Sequence, residues 1–338
     1  MKPILITGAT GFLGQHLVLQ LKQMERGRTL RLLCRGSSPW DQDAGIEVVR
    51  GDITSREDVR RAVEGTGEIY HLAGFVARNP KNVRQLYEVH IEGTRNICEA
   101  MLQHKIEKTV VVSSSGTIAV SPEPVAHNEE SGYKHETIGE WPYYLSKLFA
   151  EKLALRYREE YGLPIVVANP SLMLGPGDER NSSTGDVVNI LEGQILAIPK
   201  GGMNFVDARD AAAGLIAAMR RGKPGERYLL GGENWTFREL IHQVGKMTGV
   251  RPPKLQPSLG FSLASARLLR KLFPLVGKSF RMDDATIKMS ALFWYCDTRK
   301  AQTELGFKAR DAVLTLKETV EDVQLRLKSR VRSQARKK

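Results

Sequence analysis

The chain has 338 residues, 41% of them hydrophobic, enough to bury a substantial core as one large domain or two interlocked ones. Three cysteines, an odd number without metal-ligand spacing, exclude a disulfide scaffold and lead to the expectation of a reduced, cytoplasmic setting with no metal site. The net charge is +12, yet fifteen of the 50 Lys and Arg lie in two acid-free stretches, 240–282 and 323–338, so the positive field belongs to those segments. The apolar start breaks into glycines too early for a secretory signal, and no apolar run nears the ~18 residues of a membrane span.

Short apolar runs alternate with helical patterns, which predicts a parallel sheet with helices on both faces. A strand over 3–7 leads into Gly8-Ala9-Thr10-Gly11-Phe12-Leu13-Gly14 and a helix over 12–25. Strand, glycine turn and helix N-terminus in that order make a candidate pyrophosphate cradle, because glycines let backbone N–H groups approach closely. The second strand, 29–34, ends in Cys34-Arg35-Gly36-Ser37-Ser38 without a carboxylate. An acid about 20 residues after the glycines would bond a ribose 2′-hydroxyl. Arg35 either pairs with a 2′-phosphate, helped by Ser37 and Ser38, or is a solvated loop charge. NADP(H) is therefore expected over NAD(H).

Strands over 46–50, 67–71 and 107–113 and helices over 55–64 and 82–104 continue the alternation. Ser113, Ser114 and Ser115 close the fifth strand and enter the cleft expected at the strands' carboxyl ends. A helix over 142–161 opens at Pro142 and carries Tyr143 and Lys147 one turn apart. An ammonium about 4 Å from a phenol is worth roughly 4 kcal/mol at an effective dielectric of about 20, enough to lower its pKa by up to about 3 units. The pair is thus capable of acid–base chemistry, with Tyr144 as the fallback phenol.

A strand over 164–168 leads to Asn169-Pro170. The chain is then expected to leave the sheet and return with a helix over 208–221 and a strand over 226–230. Further on, Arg267, Arg270 and Lys271 fall on one face of the segment 261–276, and Phe261, Ala264, Leu268, Leu272 and Leu275 on another. Such a helix either buries its apolar face in a substrate domain or lies on an anionic membrane. The run 326–338 is expected to be a solvated basic tail able to attract lipid headgroups or an acidic carrier; no groove-reading motif supports specific nucleic-acid binding.

These motifs, in this order, resemble the extended short-chain dehydrogenase/reductase superfamily, the NAD(P)-dependent epimerase/dehydratase family, from residue 2 to about residue 315. Further landmarks are Gly51-Asp52-Ile53, His71-Leu72-Ala73-Gly74, Gly175-Pro176-Gly177-Asp178, Phe205-Val206-Asp207 and Arg227-Tyr228-Leu229-Leu230. The resemblance implies an α/β fold: a Rossmann doubly wound parallel sheet with a smaller, discontinuous C-terminal substrate domain. The divisions are then 1–170 plus 205–232 for NADP(H), 171–204 plus 233–315 for substrate, and 316–338 as basic helix and tail. It implies cofactor contacts from Gly8, Thr10, Gly11, Phe12, Leu13, Gly14, Arg35, Asp52, Ile53, Ala73, Gly74, Tyr143, Lys147 and Pro170.

By the same resemblance Tyr143 is the general acid, Lys147 holds the nicotinamide ribose and Ser115 orients the substrate carbonyl, with Ser114 the open alternative. A homodimer through the helices at 82–104 and 142–161 is expected. Two positions depart from the family pattern: His90 replaces a relay asparagine, and Asn169 an arginine. The short interval from Asp178 to Phe205 resembles the dihydroflavonol-reductase and hydroxysteroid-dehydrogenase subgroup, which favours a hydrophobic carbonyl substrate. A nucleotide-sugar epimerase or dehydratase is the first alternative, and a non-catalytic NADP(H)-binding sensor or scaffold the second.

Overall fold

The computed structural model describes residues 1–76, 82–272 and 283–335. The strands are β1 (Ile4–Thr7), β2 (Leu30–Cys34), β3 (Ile46–Arg50), β4 (Glu68–His71), β5 (Lys108–Val112), β6 (Ile165–Pro170), β7 (Leu172–Leu174), β8 (Gly202–Asp207), β9 (Arg227–Leu230), β10 (Glu233–Thr236) and β11 (Phe293–Trp294). Seven of them form an all-parallel sheet in the order β3-β2-β1-β4-β5-β6-β9. The expected Rossmann sheet is therefore present. The order reverses between β1 and β4, and such a switch point opens a crevice at the strands' carboxyl ends.

The helices are α1 (Phe12–Met24), α2 (Arg56–Val63), α3 (Val83–Tyr87), α4 (Gly93–Gln103), α5 (His135–Ile138), α6 (Pro142–Tyr161), α7 (Gly185–Leu191), α8 (Ala208–Arg221), α9 (Phe237–Thr248), α10 (Leu259–Leu272), α11 (Asp284–Ser290) and α12 (Ala312–Ala335). Parallel strands covered on both faces read as continuous apolar runs, and their two-residue alternation divides the core. Ile4 and Ile6 of β1 pack with Leu17 and Leu21 of α1 and Leu215 of α8. Leu5, pointing the other way, packs with Val59 of α2, Ile97 of α4 and Ala154 of α6.

The helix expected over 82–104 is interrupted. Between α3 and α4 the chain makes a π-helical turn, Glu88–Glu92, that carries buried Val89 and His90. The wider turn changes which residues face inward, and such turns cluster at functional sites.

A second, small sheet has β8 at its centre: β10 pairs with it antiparallel, β11 and β7 parallel. β8, expected with the dinucleotide part, thus hydrogen-bonds within the smaller part. Its core joins Phe205, Trp235 and Leu240 to Leu316, Val320 and Val323. The segment from residue 316, expected as a basic helix and tail, accordingly contributes core residues from its first half. Arg326, too, is held, by Asp322 at 2.8 Å and by Asn181.

Buried carboxylates knit the two parts. Asp207 caps α8 through Arg209 N at 2.8 Å and pairs with the Arg209 guanidinium, which also reaches Glu318 of α12. Asp178 accepts from the N–H groups of Ser182, Ser183 and Thr184 at 2.8–3.0 Å. Burial alone would raise both pKa values; the hydrogen bonds outweigh it and hold both carboxyls below the ordinary range. Because the folded pKa values are depressed, this stabilisation is complete above the unfolded carboxylate pKa of ~4 and is lost as pH falls through the folded values. Asp178→Asn is therefore expected to cost about 1–3 kcal/mol at neutral pH and to flatten the acid limb of stability. Thermal melts from pH 3 to 7 test it; an unchanged melting temperature overturns the assignment.

Candidate active site

A cleft of about 1280 Å3 opens at the carboxyl ends of β1, β2, β4, β5 and β6 and continues against the smaller sheet. Its floor is the glycine turn. Gly8 has φ +75°, and a Cβ there would stand 2.7 Å from the Leu72 carbonyl carbon. A Cβ on Gly14 would meet Gly8 O at 2.2 Å, so α1 lies on β1 only because both positions are glycine. The N-cap of α1 is Gly11, which offers no side chain to its first turn. Those N–H groups remain open to an anion, and the cradle fits a dinucleotide pyrophosphate. Thr10, Phe12 and Leu13 line the same turn.

At the adenosine end Arg35, Ser37 and Ile53 line the cleft, whereas Asp52 stands beside it. The Arg35 guanidinium lies 3.8 Å from the Asp52 carboxylate, with 67% of the arginine side chain exposed. A cation this accessible is able to take a phosphate, the chemistry expected of it. On the opposite wall Ala73, Gly74 and Pro170 line the cleft. A Cβ on Gly74 would lie 2.7 Å from His90 Nε2, so the loop passes directly over that imidazole.

A chain of buried hydrogen bonds fixes this wall. Ala73 N–H donates to Thr7 Oγ1 at 3.1 Å, which is 2.8 Å from His71 Nδ1. His71 Nε2 is 3.1 Å from Thr94 Oγ1, and that hydroxyl donates to the His90 carbonyl at 2.6 Å. Phe75 N–H donates to His90 Nε2 at 3.2 Å; His90 Nδ1 lies 2.7 Å from Ser146 Oγ, which donates to the Tyr143 carbonyl at 2.7 Å. The donors assign one tautomer to each ring: protonated on Nε2 in His71 and on Nδ1 in His90. Burial, with Lys147 nearby, lowers their pKa values to about 3 and about 2, so both stay neutral. His90, which stands where the family pattern has a relay asparagine, is buried and bonded at both ring nitrogens.

Tyr143 and Lys147 both reach the cleft from the first turns of α6. Lys147 Nζ donates to Val112 O at 2.9 Å. Burial lowers its pKa to about 8, with the Glu151 carboxylate opposing. The expected depression of the Tyr143 pKa is not found. Burial and then Tyr144 raise it, opposed by the Ser114 hydroxyl, and Lys147 is not among the groups acting on it. The reason is desolvation, which penalises the charged phenolate and is the largest influence on this group.

The three serines diverge. Ser114 Oγ accepts from Gly116 N–H at 3.3 Å and is near enough to the Tyr143 phenol to oppose the rise in its pKa. Ser115 lines the cleft but turns its hydroxyl to the buried Cys296 thiol. The buried Ser113 hydroxyl bonds no protein atom among the described residues. Ser114, the open alternative, and Ser115, the expected residue, thus both line the cleft with Tyr143.

Two supporting residues escaped sequence reasoning. Asn169 Nδ2 donates to Ser114 O at 3.1 Å and to Glu151 Oε2 at 2.8 Å, so it holds the serine turn against α6. Glu151, buried, also accepts from Tyr133 Oη at 3.1 Å and Thr117 Oγ1 at 3.2 Å. The available signal was spacing: Tyr143, Lys147 and Glu151 are four apart on one helix face.

Beyond the pair the cleft becomes apolar. Tyr144 stacks on Trp294 with ring centroids 4.8 Å apart, and Trp141 packs on Trp294 at 5.8 Å. Met173, Met203 and Ile190 line the same region. Tyr144, the fallback phenol, belongs to this aromatic wall.

Comparison with known proteins agrees with this geometry. A profile described as "NAD dependent epimerase/dehydratase family" matches residues 4–231. A putative dihydroflavonol 4-reductase of Synechocystis is 34% identical over 311 residues, 89% of this chain and 88% of that protein. Sterol demethylase protein B of Methylococcus capsulatus is 31% identical, over 89% of this chain and 92% of that one. The solved structure of gox2253 superposes with a TM-score of 0.82 at 30% identity, covering 96% and 98% of the two chains.

Because the unfolded chain binds protons on its histidines near pH ~6.5 and the folded chain does not, stability should fall as pH drops below ~6.5, by up to about 1.4 kcal/mol per pH unit for each buried ring. His90→Asn is expected to reduce that slope and to lower the neutral-pH melting temperature, read by melts between pH 4.5 and 7.5. A slope equal to wild type overturns the neutral assignment.

Proposed function

The chain belongs to the NAD dependent epimerase/dehydratase family, and from that premise we propose that it is an NADP(H)-dependent oxidoreductase that reduces a hydrophobic ketone or aldehyde to an alcohol. One observation carries the reading: the Ser114–Tyr143 hydroxyl pair and Lys147 stand where the glycine cradle meets an aromatic, apolar wall. Bound NADPH would supply a hydride to the carbonyl carbon. The chain's own groups handle the oxygen. Ser114 donates a hydrogen bond to the carbonyl oxygen and polarises it, while Tyr143 gives its proton to the alkoxide that develops.

A phenol whose pKa is held above its ordinary value is protonated at neutral pH, the form that reduction requires. Lys147, with its pKa near 8, remains largely an ammonium at neutral pH and holds ribose hydroxyls. The names of the reductase and sterol-processing relatives support an apolar substrate, and so does the Trp141–Tyr144–Trp294 wall.

The wider reading is a homodimer in a reducing, cytoplasmic setting. Exposed Phe149 of α6 and Val83 of α3 support the pairing face, and three free buried cysteines the compartment. Among the described residues no helix is long and apolar enough to cross a membrane.

Tyr143→Phe should lower kcat by about 10²–10⁴ while leaving the NADPH dissociation constant near wild type. Ser114→Ala should lower kcat strongly and Ser115→Ala little; the reverse order would return the orienting role to Ser115. An NADPH-oxidation screen of apolar ketones and aldehydes, with nucleotide sugars as counter-panel, reads these values. Epimerisation of or water loss from the sugars, read by chromatography because neither consumes NADPH, would establish the epimerase or dehydratase alternative, and tight NADPH binding with no turnover the scaffold. Arg35→Ala should weaken NADPH binding at least about tenfold and NADH binding little, the loss of one charge-assisted pair. A wild-type preference for NADH would refute the cofactor assignment.

A further inference from the structure

Helix α10 is amphipathic in the opposite sense to a core helix. Its inward side presents Ser262, Ser265, buried Ala266 and Leu269 to the cleft. Its outward side carries Phe261, Leu268 and Leu272, which are 66%, 57% and 45% exposed. Residues i, i+7 and i+11 share a helix face, so the three form one stripe, with exposed Ala264 between them. Leu255, 71% exposed, stands just ahead of the helix, whereas Leu259 belongs with the residues that face the cleft. Leu275, assigned to the same face from sequence, lies outside the described residues.

The apolar face that sequence periodicity offered equally to a core is thus the one in solvent. A contiguous exposed apolar stripe of this kind marks an interaction surface. Its electrostatic surroundings indicate the partner. No Asp or Glu occurs from Leu240 to Leu272, while Lys246, Arg251, Lys254 and Lys271 are all exposed there. Arg267 and Arg270, on the flank, are held by Asp284 of α11, so the helix is fastened to the fold by its basic side and its apolar stripe is left outward. A stripe of large apolar side chains bordered by the exposed cations Lys246, Arg251, Lys254 and Lys271 complements anionic headgroups above acyl chains.

We propose that α10 docks the protein on an anionic lipid bilayer, placing the cleft mouth at the membrane so that an apolar carbonyl compound enters beside Ala266 and Leu269 directly from the acyl region. The substrate half of this statement rests on the reductase reading above; the docking half does not. The same helix separates the two environments, one face for lipid and one for the cleft.

The test is co-sedimentation of the full chain with phosphatidylcholine vesicles containing about 30% phosphatidylserine, against phosphatidylcholine alone, at physiological salt. The comparison protein is the double variant Phe261→Asp with Leu268→Asp, two exposed positions away from the cleft, whose melting temperature and NADPH dissociation constant should equal wild type. Wild type is expected to partition onto the anionic vesicles and the double variant to lose at least about tenfold. Three results would overturn the proposal: no binding to anionic vesicles, binding that the double variant retains, or a wild-type dimer that the double variant dissociates without vesicle binding by either. Vesicle binding without reduction of any vesicle-dissolved ketone keeps the docking face and removes the reductase reading.

Discussion

Two neutral imidazoles tie the glycine turn to the helix that carries Tyr143 and Lys147. His71, at the end of β4, bonds Thr7 at the end of β1 and Thr94 on α4; His90, in the π turn, bonds Phe75 N–H and Ser146 on α6. Each ring uses one nitrogen as donor and one as acceptor, so neither tolerates a second proton without breaking a bond. The loop over the cofactor wall, Ala73 to Phe75, is therefore anchored at both ends, by Thr7 and by His90. Removing either ring would leave buried N–H and hydroxyl groups unsatisfied, which costs more than the bond itself contributes.

The other side of the site is held by a charge. Glu151 is buried and gathers Asn169, Thr117 and Tyr133, joining α6 to the end of β6 and to the short turn after β5. Through Asn169 it sets the Ser114 carbonyl, and with it the serine turn that delivers one hydroxyl to Tyr143 and the next to Cys296. Tyr143 and Lys147 are thus positioned from two directions: a neutral network beneath the Ala73–Phe75 loop and an ionic one beneath the serine turn. Farther out, Asp207 and Arg209 link the end of β8 to α12 and keep the small sheet against the cleft.

Much of the large sheet was legible because buried parallel strands leave uninterrupted apolar runs, and Ile4 to Thr7 or Val110 to Val112 have no other stable use. The glycine turn was equally legible, since Gly8 and Gly14 stand where any Cβ meets backbone. The small sheet was not. β11 has two residues and β7 three, and their pairing with β8 is decided by distant chain, not by local pattern. The π turn at His90 was also invisible, because no residue type demands it. Among Ser113, Ser114 and Ser115, strand alternation ends with β5, and the backbone of the following 3₁₀ turn decides which hydroxyl faces the phenol. In α10 the periodicity revealed two faces but carried no information on which of them meets the fold.

Burial sets the resting protonation of the pair, and it does so in opposite senses for the two groups. Desolvation penalises whichever form is charged, so the phenol is pushed up and the ammonium down, and their pKa values move apart from acidic function on one and permanent charge on the other. A site that needed a phenolate at rest, as abstraction of an alcohol proton requires, would have to pay for that charge with a close cation, and the Lys147 ammonium is instead directed at the Val112 carbonyl. A site that must deliver a proton needs only what is present: a neutral phenol, a hydroxyl on its oxygen and a dry, aromatic wall around the group that accepts it. The neutral phenol of Tyr143 and the apolar wall beside it are thus two results of one cause, the exclusion of water from this end of the cleft.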